Sequence, residues 1–209
     1  MTRRSEALSD GGRQASVTGV LLAAGGAERF GADKRWQPLP SGLTMAEQSA
    51  ARLVAGVPDS VAVVRPGDAR LVARLVALGL QVVINPDADQ GMGSSLACGV
   101  NARRQAAGWV IALADMPFID THSYAAVAGA IRRQAIVVPR FAGRRGHPMG
   151  FGAWFGPQLR GCRGDRGARD IVDAHTDKHI TLALADAGIH HDVDCPSDLT
   201  TLGVIGNTP

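Results

Sequence analysis

At 209 residues with 45% hydrophobic positions, the chain is long and apolar enough to bury one sizeable core, while no apolar run nears the ~20 residues of a membrane-spanning helix. A net charge of +3, scattered arginines and only 4% aromatic residues speak against nucleic acid as a partner and suit an anionic small substrate equally well. Cys98, Cys162 and Cys195 lack C-x-x-C spacing, which predicts reduced thiols, no zinc site and a cytoplasmic protein.

Residues 1–16 are polar and contain glycine but no apolar segment of signal-peptide type, so a disordered tail is expected ahead of a single domain over 17–209. From Val17 onward, short apolar runs alternate with longer amphipathic ones, the pattern of a doubly wound α/β sheet. The first strand, Val17 to Ala24, breaks into Gly25-Gly26, and Arg29, Gly31 and Lys34 follow within ten residues. Adjacent glycines at a strand end let backbone N–H groups converge, and two cations in the same loop suit a polyphosphate. The loop is not a Walker A motif, because Ala32-Asp33 follow Gly31, nor a G-x-G-x-x-G fingerprint, because Ala27 stands where the second glycine belongs.

A helix over Thr44 to Leu53 is predicted, with Thr44 as N-cap and Glu47 three residues on. Strands over Ser60 to Val64 and Val82 to Ile84 flank a helix from Asp68 to Leu78. In Asn85 to Gly99, NPDADQGMGSSLACG, the turn at Gly91 to Gly93 leads to Ser94-Ser95 as helix caps, with the helix running to Gln105. Trp109 to Ala114 is a strand that Pro117 stops, leaving Asp115 at the carboxyl edge where open α/β sheets bind ligands. There Asp115 is a candidate ligand for Mg²⁺. A helix over Tyr124 to Arg133 and a strand over Ile136 to Val138 precede a basic, glycine-rich loop, Arg140 to Phe151. Arg144 and Arg145 read there as solvated, and His147-Pro148 as the more particular feature. Asp165 is expected to cap the next helix and Arg169 to meet an anion. After a strand over His179 to Leu184, alternation within a strand from His190 would put Asp192 and Asp194 on one side.

Five of these segments resemble, in order and over nearly the whole chain from Val17, the MobA-like NTP transferases of the molybdenum cofactor cytidylyltransferase type. They are V-L-L-A-A-G-G-A-E-R-F-G-A-D-K, N-P-D-A-D-Q-G-M-G-S-S-L, D-M-P, R-G-H-P and D-V-D-C-P-S-D-L. The resemblance implies a single-domain, Rossmann-like doubly wound sheet of nucleotide-diphospho-sugar transferase type, mostly parallel with an antiparallel strand. It implies that Leu22, Ala23, Ala24, Gly25 and Gly26 wrap an NTP, with Arg29 and Lys34 on its phosphates. Asn85, Gly91, Met92, Ser94 and Ser95 would lie beside the nucleotide, Asp115 and Asp194 would hold Mg²⁺, and Gly146, His147 and Pro148 would line the acceptor side. Four departures stand out: Gly26-Ala27 and Arg35-Trp36 in the first loop, and Cys195 and Ser197 in the last segment.

No G-x-S-x-G elbow or Cys–His–Asn arrangement supplies a protein nucleophile, so the nucleophile is assigned to the substrate. The expected reaction joins CMP from CTP to the phosphate of molybdopterin and releases pyrophosphate. Arg29, Lys34 and Asp115 would be its catalytic residues, and docking to a molybdenum enzyme would follow. GTP as nucleotide, another phosphate acceptor, and a non-catalytic nucleotide- or pterin-binding accessory are the alternatives.

Overall fold

The computed structural model describes residues 15–25, 33–193 and 198. Strand β1 (Val17–Leu22) is followed by α1 (Met45–Gly56), β2 (Ser60–Val64), α2 (Ala69–Ala77) and β3 (Gln81–Ile84). Then come α3 (Met92–Ala102), β4 (Gly108–Leu113), α4 (Thr121–Ala130) and β5 (Ile136–Phe141). The two-residue β6 (Arg144–Arg145), β7 (Met149–Gly152), α5 (Gly156–Arg160), α6 (Arg169–Ala174) and β8 (His179–Ala183) complete the elements.

The strand order is β3-β2-β1-β4-β7-β5-β6, with β8 alongside β5. β1 to β4 run parallel, β7 is antiparallel to both β4 and β5, and β8 is parallel to β5. The doubly wound α/β sheet predicted from alternating apolar runs is therefore present, and the antiparallel β7 within a mostly parallel sheet is what the family resemblance implies. Successive strand residues point to opposite faces. Leu21, Ala62, Val64, Val110 and Ala112 pack with Leu53, Leu71, Leu75 and Tyr124 of α1, α2 and α4. Val20, Leu22, Val61, Val63, Trp109 and Ile111 pack on the other face with Leu96, Leu159 and Val172 of α3, α5 and α6 and with Phe155 just ahead of α5. Both faces are covered, so the central strands read as unbroken apolar runs.

The α1 start is a full capping box: Thr44 Oγ1 accepts from the Glu47 N–H at 3.4 Å, and the Glu47 carboxylate accepts from the Thr44 N–H at 2.8 Å. Elsewhere the structure corrects the local expectations. Residues 140–151 are not one basic loop: β5 continues to Phe141 and Met149–Gly152 is a buried strand. In its sequence, MGFG, Gly150 has no room for a side chain, since a Cβ there would meet Val127 at 2.8 Å and Val137 at 3.0 Å. α3 begins at Met92 and ends at Ala102, so Ser94 and Ser95 lie inside its first turn and are not its caps. α6 has Ala168 at its N-cap, and no Asp165 side chain serves there. Nor is there a strand over residues 190–193: the chain makes a 3₁₀ turn over Ala187–His190 and continues irregularly through Val193, and Asp194 lies outside the described residues. Buried Ile189 and Val193 anchor this stretch by packing rather than by a ladder. No helix among the described residues is long and apolar enough to cross a membrane.

Candidate active site

The carboxyl ends of β1 and β4 lie side by side, with Leu22 opposite Leu113. Asp115 leaves β4 there, as its position before Met116-Pro117 requires. Its Oδ2 accepts from Lys34 Nζ at 2.9 Å, while Oδ1 is buried with no hydrogen-bond partner among the described residues. Lys34 also donates to the Val193 carbonyl at 3.2 Å, and the Val193 N–H donates to the Asp115 carbonyl at 3.0 Å. Three distant stretches, the first loop, the β4 end and the 187–193 segment, thus meet at one carboxylate.

A cavity of about 450 Å³ opens beside Met116, the residue after Asp115. Leu22, Leu96, Ile111, Leu113, Met149 and Phe151 make its apolar floor, and Met92 and Met116 flank it. Its rim carries Arg144, Arg145, Arg166 and Arg169, with Asp165 and Asp192 among them. Two of these cations are partly neutralised: Arg145 by Asp173 at 3.4 Å and Arg166 by Asp170 at 2.6 Å.

His147 lies in the cavity wall with its Nδ1 buried and unpartnered among the described residues. Burial pushes the imidazole below its ordinary value, against the opposing pull of Asp115, so the ring is held neutral. Its backbone is pinned by the His147 N–H donating to the Ile189 carbonyl at 2.9 Å, and the peptide to Pro148 is cis. Gly146 fits only as glycine, because a Cβ would collide with the Ile189 carbonyl oxygen.

The G-M-G turn builds the opposite wall. Gly91 has φ of 93°, and a Cβ there would collide with Asp165 Oδ1. On Gly93 it would meet the Arg163 backbone at 2.6 Å, and the Gly93 N–H donates to the Gly164 carbonyl at 2.7 Å. Loop 162–167 can therefore lie directly on the start of α3. Behind it, buried Asn85 donates to Ser94 Oγ at 3.0 Å and to Ser95 Oγ at 3.1 Å, and Ser94 donates to the Asp87 and Gly91 carbonyls. These three expected nucleotide-binding residues form an internal brace, and none of them lines the cavity.

Of the expected site residues, Lys34 and Asp115 are brought together, and Leu22, Met92, Gly146 and His147 share the cavity. Ala23, Ala24 and Gly25 follow β1 at its carboxyl end, and Pro148 is buried behind His147. Gly26, Arg29 and Asp194 lie outside the described residues. Sequence reasoning missed Met116, Arg166 and Asp192 as cavity residues, and read Arg144 and Arg145 as merely solvated. The signal for the last pair was their adjacency to R-G-H-P, which the fold turns toward the cavity.

A hard cation wants carboxylate oxygens and substrate phosphates, and the unpartnered Asp115 Oδ1 fits that need. No cluster of three His, Cys, Asp or Glu side chains surrounds it among the described residues, so substrate oxygens and water would have to complete the coordination alongside any residue outside that set.

A doubly wound sheet with an aspartate at the carboxyl end of β4 defines an α/β protein whose ligand site lies at that edge. Residues 19–179 match the MobA-like NTP transferase domain, and the chain belongs to this family. It is 32% identical over 187 residues to the nicotine blue oxidoreductase of Paenarthrobacter nicotinovorans, covering 85% of this chain and 92% of that protein. Among solved structures, the manganese complex of Rv0371c from Mycobacterium tuberculosis superposes with a TM-score of 0.73 at 26% identity, over 90% of this chain and 97% of the other. A nucleotidyl transferase from Methanothermobacter shares the fold, with a TM-score of 0.76 at 20% identity over 90% and 95% of the two chains.

Proposed function

We propose that this nucleotidyltransferase joins CMP from CTP to the phosphate of molybdopterin and releases pyrophosphate, with GTP as the alternative nucleotide. The observation that carries this reading is Asp115: a strand-end carboxylate with one oxygen on Lys34 and the other buried and unpartnered among the described residues, next in the chain to Met116 of a cavity with a cationic rim.

In the proposed reaction a phosphate oxygen of the acceptor attacks the α-phosphorus of the NTP. The bond from that phosphorus to the α,β-bridging oxygen breaks, and pyrophosphate leaves with the electron pair. The acceptor phosphate is already ionised at neutral pH, so no general base is needed, and the neutral His147 serves as wall rather than as base. The protein's contribution is alignment and charge neutralisation. Lys34 and Arg29 supply positive charge where negative charge develops on the pyrophosphate. Asp115 and Asp194 would hold a divalent cation, Mg²⁺ or Mn²⁺, which when bound neutralises phosphate charge. The apolar floor suits a planar ring system, and the arginine rim suits its anionic tail. A protein loaded with the dinucleotide product would then hand it to a molybdenum enzyme.

A pyrophosphate-release assay with Mg²⁺ and molybdopterin, run separately with CTP, GTP, ATP and UTP, tests the reading. Release with CTP, abolished in Asp115→Asn, is expected. Release with GTP alone would change the nucleotide and keep the mechanism. No release with any nucleotide, despite measurable NTP binding, would overturn the transfer to molybdopterin and favour another acceptor or a non-catalytic accessory.

A further inference from the structure

Two arginines outside the cavity lining hold the backbone at the end of β1. Arg35 is buried, and its guanidinium donates to the Ala23 carbonyl at 2.7 Å while gripping Asp33, through Nε at 2.8 Å and Nη2 at 2.6 Å, and Asp68 through Nη1. Arg65 donates to the Ala24 carbonyl through Nη2 at 2.7 Å and Nε at 3.2 Å. Arg65 and Asp68 both belong to the Arg65-Pro66-Gly67-Asp68 turn that joins β2 to α2. By its pattern alone, that turn only ends a strand. Arg70, from the first turn of α2, stacks 4.2 Å over the Trp36 ring and closes the same cluster.

The consequence lies in peptide geometry. The Ala23 N–H donates to the Val63 carbonyl of β2 at 2.9 Å, and the Ala23 carbonyl goes to Arg35 on that same side. A trans peptide sets its N–H opposite its carbonyl, so the Ala24 N–H faces the β4 side, where Asp115 stands. In a continuing strand the Ala24 carbonyl would follow it there and the Gly25 N–H would turn back. Arg65 pulls that carbonyl to the β2 side instead. The Gly25 N–H then points the same way as the Ala24 N–H. Neither N–H has a partner among the described residues, and two successive amides on one side are the arrangement that receives an anion.

We propose that Arg35 and Arg65 are positioning residues that set the Ala24 and Gly25 amides as the receiver of an NTP phosphate. The inference rests on the nucleotidyl-transfer reading, which puts the triphosphate in this loop. It also accounts for the Arg35-Trp36 departure from the family pattern, where a buried fork replaces an apolar pair and fixes a carbonyl.

The test is titration of the full chain with magnesium pyrophosphate, followed by calorimetry and by ¹⁵N–¹H resonances of Ala24 and Gly25. In the wild type both resonances shift on saturation. In Arg65→Leu, pyrophosphate affinity is expected to fall about tenfold, as for loss of a charge-assisted hydrogen bond, with the Gly25 shift largely gone and the unfolding temperature little changed. Arg65→Lys, which still reaches the Ala24 carbonyl, should recover much of the affinity. If Arg65→Leu does not fold, Arg35→Lys reads the Ala24 amide in the same way. A wild type that binds no pyrophosphate overturns the triphosphate reading and this inference together. Wild-type binding left unchanged in the variants, or affinity lost while both resonances still shift, overturns this inference alone.

Discussion

Asp115 concentrates the chemistry in a single side chain. Both its oxygens have a defined environment, one beside an ammonium and one buried and open. Asp115→Asn keeps the shape and removes the charge, so pyrophosphate release should drop by roughly a hundredfold or more while the fold persists, as circular dichroism would show. His147 gives a second prediction. Its folded form resists protonation because burial disfavours the cation, with Asp115, Asp192, Arg145 and Arg169 as the charges acting on it. The unfolded chain binds that proton near the ordinary imidazole value, so stability is lost as pH falls below about 6.5 toward the folded value. Thermal unfolding followed from about pH 7 to about pH 5 should show a steeper decline for the wild type than for His147→Gln. Equal declines would place the loss on other groups. Asp115 was legible in the sequence because Met116-Pro117 ends its strand; the neutral state of His147 was not, since it depends on what surrounds the ring.

Among the elements, α1 and α3 behave differently under the same kind of reading. The α1 capping box was visible as Thr44 and Glu47 three residues apart, because such a box is local. Burial would raise the Glu47 carboxyl, but hydrogen bonds from Thr44 and the nearby arginines hold it below its ordinary range. Thr44→Ala should lower stability by about 1 kcal/mol in urea unfolding, with no change in slope. At α3, Ser94 and Ser95 carried a capping signature yet serve the Asn85 brace, since the helix begins two residues earlier at Met92. Its start is decided by loop 162–167, which is remote in sequence. Gly93→Ala puts a Cβ 2.6 Å from the Arg163 backbone. We expect that variant to lose about 1–3 kcal/mol and to weaken nucleotide binding by lifting the loop off α3; unchanged binding in calorimetry would count against that wall.

Across the whole molecule, a modest net charge of +3 conceals a cavity rim with four arginines. Two of them are partly neutralised by Asp173 and Asp170, so Arg144 and Arg169 carry most of the attraction for an anionic substrate. Raising ionic strength should therefore increase the KM for the acceptor, and Arg144→Ala with Arg169→Ala should flatten that dependence. A salt response identical in wild type and double variant would remove the rim from the acceptor's path.

The sequence by itself determined the alternation of apolar runs, hence a doubly wound sheet, together with the glycine loop, the strand-end aspartate and their order along the chain. Those are properties of short windows, where periodicity and turn chemistry act locally. Only the tertiary structure decided that Met149–Gly152 is a central antiparallel strand, since Gly150 is explained by Val127 and Val137 packing across it and Gly152 by the Arg132 and Arg133 backbone. It also decided that residues 190–193 form no strand, and that a turn after β2 holds the carbonyls at the end of β1. Each of those outcomes depends on contacts between residues far apart in the chain, and such contacts leave no period or spacing to read.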